Sequence, residues 1–271
     1  MLSLSPLKKP WLIAALATLV MGLVMAALDL GLPQGGELWR GWVQEHSTLV
    51  YFCEPASIAA FFRQKIDTYT NLGFFFAGSL MLVYARVDRR QAATGFAIVH
   101  PQWSRCFGLA LLMTFAGSSL FHASLTRSGE ALDLAGTYAA VLLPGFFNLH
   151  RLFSLWQRRH LPAWPFLLAW MLIWLLSSLL IFRLSSRVVV PFGLGLIGIT
   201  GFILFWTVHP RRGWWFAGSS IVLTVSAGTF FVMDIEKVGC DPGGWYQAHG
   251  LWHLLGAAAS ASYYGFMRRL Q

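Results

Sequence analysis

The segment AHGLWHLLG, residues 248–256, carries two histidines inside an otherwise apolar run. His249 and His253 are four residues apart, so both imidazoles lie on the same face if the segment is helical. Histidine pairs with this spacing bind zinc on the helices of metalloproteases. The pair alone is a weak signal, because two histidines can also hydrogen-bond to neighbouring helices. The segment therefore predicts a helix whose imidazoles need a partner.

The composition around this segment is typical of a membrane protein. Of the 271 residues, 56% are hydrophobic and only 11% are charged, and the mean hydropathy is +0.59. A soluble domain carries about 25% charged residues. The 13 Trp and 22 Phe residues suit a chain with lipid-facing and interfacial surfaces. These values exclude an ordinary soluble enzyme.

Eight apolar stretches are long enough to cross a bilayer as helices, which takes about 20 residues. They lie near residues 11–30, 68–86, 105–124, 132–149, 163–183, 188–208, 213–233 and 247–266. The fold class predicted is an all-α membrane bundle, with a seven-helix hydrolase core at residues 51–271 and one additional N-terminal helix. That helix and an outer loop occupy residues 1–50. We expect an uncleaved signal anchor there, because no clean cleavage motif follows the apolar run.

The net charge of +9 is explained by membrane topology. Most of the 20 Lys and Arg residues fall at the chain ends and in alternate loops, which the positive-inside rule assigns to the cytoplasm. Because the basic residues are spread over every inside loop, a nucleic-acid partner is not expected. We expect a multi-pass protein of a bacterial inner membrane, with both termini cytoplasmic.

Polar residues inside the predicted spans gather at one depth. Ionisable groups are costly within a membrane and usually have a function there. In this topology they all lie in the outer half of the bilayer, although they come from five helices. The set comprises Asp67, Asn71, Ser118, His122, Asp133, Asp234, His249 and His253. The shared depth predicts a functional site that opens to the outer face.

Three histidines at this depth predict a metal centre. With His122 as a third ligand, His249 and His253 can hold zinc and leave its fourth position for water. Zinc lowers the pKa of such a water to about 7. Asp133 and Asp234 are candidates for a general base or for a carboxylate that orients a ligand histidine. A purely structural cluster of polar residues is the alternative.

Three further features have two interpretations each. Ser118 lies one helical turn before His122 and can donate a hydrogen bond to a developing oxyanion, but GSS is equally typical of close helix packing. Cys53 and Cys240 both fall outside, where an oxidising compartment permits a disulfide; two free thiols are the alternative. The segment SIAAFFRQKI, residues 57–66, is either a short interfacial helix or a loop packed on the bundle.

Several motifs together resemble the alkaline ceramidase family. They are CE at 53–54, DTYTN at 67–71, GSSLFH at 117–122, Asp133, MDIEKVGC at 233–240 and HGLWH at 249–253. That family belongs to a superfamily of seven-helix membrane hydrolases, which also includes the adiponectin-type receptors and the GPI-lipid-remodelling proteins. The resemblance covers about residues 51–266 and preserves the order and spacing of the motifs.

The resemblance implies zinc-dependent hydrolysis of the amide bond of ceramide or a related N-acyl lipid, giving a sphingoid-type base and a fatty acid. His122, His249 and His253 would be the zinc ligands, Ser118 would steady the oxyanion, and Asp133 would orient or activate the water. Residues expected to support these groups are Asp234, Asp67, Asn71 and Glu54. The acidic stretch that binds calcium in that family keeps only Glu54 here. We expect no calcium site, because calcium takes six to eight oxygen ligands.

Two other functions are compatible with the same motifs. One is an ester hydrolase acting on a membrane phospholipid or a lipid anchor. The other is a receptor of the adiponectin type with little turnover. A transporter is disfavoured, because the inner half of the predicted spans contains almost no polar residues. The partners expected are the membrane and a lipid substrate, and the sequence does not predict an oligomeric state.

Overall fold

The fold was examined in a computed structural model that describes residues 9–44, 52–88, 95–208 and 213–270. The described residues form helices and turns without a β-strand, as the all-α prediction requires. The helices in chain order are α1 (Pro10–Gly31), a 3-10 helix (Gly35–Trp39), α2 (Lys65–Thr70), α3 (Leu72–Asp88), α4 (Phe96–Val99), α5 (Pro101–Ser124), α6 (Arg127–Trp156), α7 (Trp164–Leu179), α8 (Ser186–Val208), α9 (Trp214–Ile235) and α10 (Ala248–Met267).

Six helical segments of the described part are long and apolar enough to cross a membrane. They are Pro10–Gly31, Lys65–Asp88, Pro101–Ser124, Arg127–Trp156, Ser186–Val208 and Trp214–Ile235. α7 is apolar but has only 16 residues, and α10 has 20 residues and carries the two spaced histidines. The eight predicted spans therefore correspond to helices, and the chain is a multi-pass membrane protein.

α5 is the central helix of the bundle, and its junction with α6 aligns the residues of the site. α5 ends at Leu125, which adopts a left-handed conformation, and the Thr126 side chain caps the start of α6 by accepting from the backbone N–H of Gly129. Gly117 lets the two helices touch, since a Cβ there would lie 2.4 Å from the Leu132 backbone. This close antiparallel contact brings Ser118 beside Asp133.

The other helices surround the α5–α6 pair. α3 packs on α5, and α10 packs on both α3 and α9, whereas α7 and α8 pack on α6 and α1 packs on α3. The fully buried side chains Trp103, Phe107 and Phe147 fill the half of the bundle away from the histidines. At that end, Arg268 donates two hydrogen bonds, of 2.9 and 2.6 Å, to the Asp88 carboxylate.

The segment before α2 is a packed loop, which decides between the two interpretations of residues 57–66. Phe61 stacks on Trp39 with ring centroids 5.2 Å apart, so these rings are inside the fold. The backbone N–H groups of Arg63 and Gln64 donate to the carbonyls of Ala123 and His122 at the end of α5, at 3.1 and 3.0 Å. These bonds satisfy carbonyls that the helix end leaves free, and they hold the loop in a non-helical conformation.

The predicted disulfide is present in the structure. Cys53 and Cys240 are bonded, with Cα atoms 5.6 Å apart. The bond joins the loop before α2 to the loop between α9 and α10, across 187 residues of sequence. It therefore ties together the two chain segments that lead into the histidine-bearing end of the bundle.

Candidate metal centre

His122 on α5 and His249 and His253 on α10 form one cluster. One nitrogen from each imidazole lies within 4.8 Å of the others. The three side chains are 0%, 4% and 3% exposed, respectively. Among the described residues, this is the group of three or more metal-ligating side chains that is close enough to hold one ion. His122 Nε2 is buried without a hydrogen-bond partner, as a nitrogen that awaits a metal would be.

The hydrogen bond at Nδ1 determines which nitrogen of His122 can bind a metal. His122 Nδ1 lies 2.8 Å from Gln64 Oε1, while Gln64 Nε2 donates to the Glu54 carbonyl at 3.0 Å. Because the amide oxygen can only accept, Nδ1 carries the proton and donates it. Nε2 then keeps its lone pair, which is the form that ligates a metal.

His253 is fixed in the same tautomer by a different group. Its Nδ1 lies 3.0 Å from Thr70 Oγ1, and the Thr70 hydroxyl donates its proton to the Asp67 carbonyl at 3.0 Å. The hydroxyl oxygen must therefore accept from His253 Nδ1, again leaving Nε2 unprotonated. Both imidazoles are oriented from outside the cluster, as ligand histidines usually are.

His249 faces a carboxylate without contacting it closely. His249 Nδ1 is 3.8 Å from Asp234 Oδ2, and neither atom has another hydrogen-bond partner. Asp234 Oδ1 accepts from the backbone N–H of Cys53 at 3.0 Å, so the disulfide-bonded residue holds the carboxylate in place. A small rotation of either side chain would complete the pairing that is already made at His122 and His253.

Glu54 organises the start of α2. Its Oε1 and Oε2 atoms accept from the backbone N–H groups of Ile66 and Asp67, each at 2.8 Å. Carboxylates favour helix N-termini because free N–H groups point there. Burial raises the pKa of the Glu54 carboxyl, although these backbone donors lower it. Glu54 thus supports Gln64 through its carbonyl and Asp67 through its carboxylate, and it has no direct contact with an imidazole.

The remaining predicted site residues are Ser118 and Asp133, which form a pair, and Asp67 and Asn71, which lie in or next to α2. Ser118, which is 1% exposed and one turn from His122 on α5, lies beside the Asp133 carboxylate across the α5–α6 contact. Asp67 is buried, with Oδ2 3.9 Å from His122 Nδ1. Asn71 donates to the Asp67 carbonyl at 2.9 Å and so stabilises the α2–α3 junction. Ser118 and Asp133 are therefore adjacent to each other, whereas Asn71 bonds to the α2 backbone and keeps its Oδ1 buried without a hydrogen-bond partner.

Two residues that orient the histidines and one that covers them were not assigned a role from the sequence. Gln64 and Thr70 supply the two Nδ1 acceptors described above. Phe52 covers the cluster, with its ring centroid 4.2 Å from that of His249 and 5.3 Å from that of His122. Thr70 lies within the DTYTN motif, so the motif already indicated that this residue belongs to the site. Gln64 and Phe52 act through a loop whose path the sequence does not reveal.

Fold and site together define a helical membrane protein with a buried histidine triad that could bind a metal ion. Residues 52–269 match the Per1-like family, so the chain belongs to that family. Per1-like proteins are hydrolases that remodel membrane lipids. A comparison with curated proteins finds no match.

The family match corrects the resemblance drawn from the motifs. The chain is a Per1-like protein, the alkaline ceramidase family does not match it, and hydrolysis of ceramide is therefore not supported. The reason lies in what the shared motifs do. The CE motif supplies a disulfide partner and a helix cap, and MDIEKVGC supplies the other cysteine and Asp234. These elements stabilise the site rather than select a substrate, so they do not distinguish one family from another.

Gln64, which accepts the hydrogen bond from His122 Nδ1, can be replaced by Leu without a large change of side-chain volume. We expect Gln64→Leu to weaken binding of Zn²⁺, used as the probe metal, by about 10–100-fold, because His122 loses the group that fixes its tautomer. Competition with a chromogenic chelator measures the affinity. Gln34→Leu is the matched control, since Gln34 is exposed and its side chain caps no helix. Equal zinc affinity in Gln64→Leu and wild type would contradict this role.

Proposed function

We propose that this protein is a zinc-dependent hydrolase that cleaves a carboxylic ester bond in a membrane lipid and releases an acyl chain. The observation that carries the proposal is the buried triad, in which His122 and His253 present unprotonated Nε2 atoms inside a membrane bundle. Family membership supports the lipid substrate, because Per1-like proteins remodel membrane lipids. An ester is favoured over an amide, since no ceramidase family matches the chain.

The donor set suits zinc. Three neutral imidazoles are characteristic of catalytic zinc sites, whereas calcium and magnesium prefer oxygen ligands. His122, His249 and His253 would hold the ion through Nε2. Gln64 and Thr70 restrain the opposite side of the His122 and His253 rings, and Asp234 faces that side of His249. When bound, zinc supplies Lewis-acid activation of the water and of the ester carbonyl.

Ser118 and Asp133 are proposed to handle the proton and the negative charge of the reaction. In the resting arrangement the Ser118 hydroxyl lies beside the Asp133 carboxylate, to which it can donate. Asp133 accepts a proton as the water oxygen bonds to the ester carbon, and this weakens its hold on Ser118. The freed hydroxyl can then donate to the oxyanion. Protonated Asp133 returns the proton to the departing alkoxide when the ester C–O bond breaks, so the products are an alcohol and a carboxylic acid.

The site is proposed to open to the outer face of a bacterial inner membrane, with both chain termini cytoplasmic. The distribution of basic residues supports this orientation. The Cys53–Cys240 bond supports it independently, because disulfides form and persist on the oxidising side of a membrane. The disulfide, Asp234 and the histidine triad are at the same end of the bundle, so the site would receive water from outside.

The metal and the substrate class are tested together. Purified protein is expected to contain about one zinc per chain and to release fatty acid from phospholipid esters, but not from N-acyl lipids. His253→Ala should lose most zinc and nearly all hydrolysis, because two remaining imidazoles hold zinc poorly. His160→Ala, at an exposed histidine, is the control. Full activity in His253→Ala, or release from N-acyl lipids alone, would overturn the proposal.

The role of Asp133 is tested by a substitution that keeps its shape. Asp133→Asn should keep the zinc but lower kcat by about 10²–10⁴-fold, because an amide cannot take up the proton. Zinc content and turnover are measured on the same preparation, with Asp241→Asn in the exposed outer loop as the control. If Asp133→Asn loses its metal along with its activity, Asp133 supports the metal centre instead of moving a proton.

The disulfide also tests the orientation. Of the three cysteines, only Cys106 should react with a thiol reagent after denaturation without reductant, and all three should react after reduction. In sealed membranes, a charged reductant should open the Cys53–Cys240 bond from the outer face and not from the cytoplasmic face. Three reactive thiols without reductant would exclude the bond. Reduction from the cytoplasmic face alone would reverse the orientation.

A further inference from the structure

The wall of helices around the metal centre is interrupted between α8 and α9. α8 packs on α6 and α9 packs on α10, but no comparable contact joins α8 to α9 in the described parts of the two helices. Gly198 on α8 and Gly228 on α9 have no neighbouring atom within 4 Å of the point where a Cβ would stand. The described parts of α8 and α9 therefore do not pack closely on each other, and we call the space between them the α8–α9 cleft.

One aromatic ring lies between the exposed surface of α9 and the metal centre. Phe231 on α9 is 38% exposed, whereas His249 is 4% exposed. Even so, the Phe231 ring centroid lies 5.9 Å from that of His249 and 5.3 Å from that of Trp252. Phe231 is therefore a partly exposed apolar side chain in direct contact with a buried histidine of the metal centre.

A polar network lies deeper in the bundle, between α6, α8 and α10. The Tyr263 hydroxyl on α10 donates to Asn148 Oδ1 on α6 at 2.8 Å, and Asn148 Nδ2 donates to Thr200 Oγ1 on α8 at 2.9 Å. These bonds join α8 to α10 through α6. Tyr263 follows His253 by ten residues, which is about 15 Å along the helix. A length of α10 comparable to much of an extended acyl chain therefore lies between the metal centre and this network.

We infer that the acyl chain of the substrate lipid enters from the bilayer through the α8–α9 cleft and that Phe231 is the residue it must pass. The inference rests on the proposed lipid hydrolysis. The occupant is an acyl chain because the cleft opens to the hydrocarbon region, and because Phe231 and the glycines beside it offer no hydrogen-bonding side chain. The Phe231 ring then limits the size of the acyl chain that can pass. The lipid headgroup stays near the triad, at the outer end of the bundle.

The binding route can be mapped without any turnover. A phospholipid with a photoreactive diazirine in its acyl chain is cross-linked to the full-length protein in vesicles, and the adducts are located by mass spectrometry. Adducts on α9 around Phe231 and on the facing part of α8, reduced by excess unlabelled phospholipid, are expected. Adducts confined to α1 and α7, or adducts that unlabelled lipid does not reduce, would overturn the route.

Kinetics then test the role of Phe231 itself. Phe231→Trp should lower kcat/KM for a long-chain phospholipid by about tenfold while changing that for a short, water-soluble ester less than twofold. Zinc content should not change. Val222→Trp is the matched control, because Val222 is also exposed on α9 but lies nine residues away, on the opposite helical face. Equal losses in the two variants, or equal losses for both substrates, would contradict a gating role.

The two proposals fail in different ways. If wild-type protein cleaves neither ester but the adducts fall at Phe231, the lipid route stands and the hydrolytic function is wrong. If wild-type protein cleaves the phospholipid while Phe231→Trp matches wild type and the adducts fall elsewhere, the function stands and the route is wrong.

Discussion

The hydrogen bond between Gln64 Oε1 and His122 Nδ1 is the interaction on which the rest of the site depends. A neutral imidazole has two tautomers, and only one of them lets His122 point a lone pair at His249 and His253. An amide oxygen opposite Nδ1 selects that tautomer. Thr70 makes the same selection for His253 by a different route. The metal centre is therefore specified by groups outside the triad as much as by the triad itself.

These outer groups are held by a short loop. Cys53 and Glu54 connect it to Asp234, to the disulfide and to the first turn of α2. Arg63 and Gln64 connect it to the end of α5 through backbone bonds. The loop thus joins helices that are distant in sequence, and it is the reason that polar residues from several helices meet at one depth. Several of these buried groups are hydrogen-bonded, whereas both Asp67 carboxylate oxygens, Asn71 Oδ1 and the facing atoms His249 Nδ1 and Asp234 Oδ2 have no partner in the described structure.

The fold and the triad could be predicted from the sequence because their signals are local or periodic. Apolar runs of about 20 residues give the helices, and the four-residue spacing with a shared depth gives the histidines. The disulfide followed from topology. Gln64, Phe52 and Phe231 were missed because their roles depend on how a loop and two helices pack. The Asn148–Thr200–Tyr263 network could not be predicted for another reason, because uncharged polar residues within a membrane span are a weaker signal than ionisable ones. The ceramidase expectation was wrong because the motifs behind it stabilise a shared scaffold.

The most direct test of the central claim is X-ray absorption at the zinc edge of the purified full-length protein. The account predicts three imidazole nitrogens at about 2.0–2.1 Å and one further oxygen ligand. Gln64→Leu should keep the ligand types but spread the imidazole distances, because His122 is no longer oriented. A sulfur ligand at about 2.3 Å, or an all-oxygen shell, would contradict a metal centre built from His122, His249 and His253.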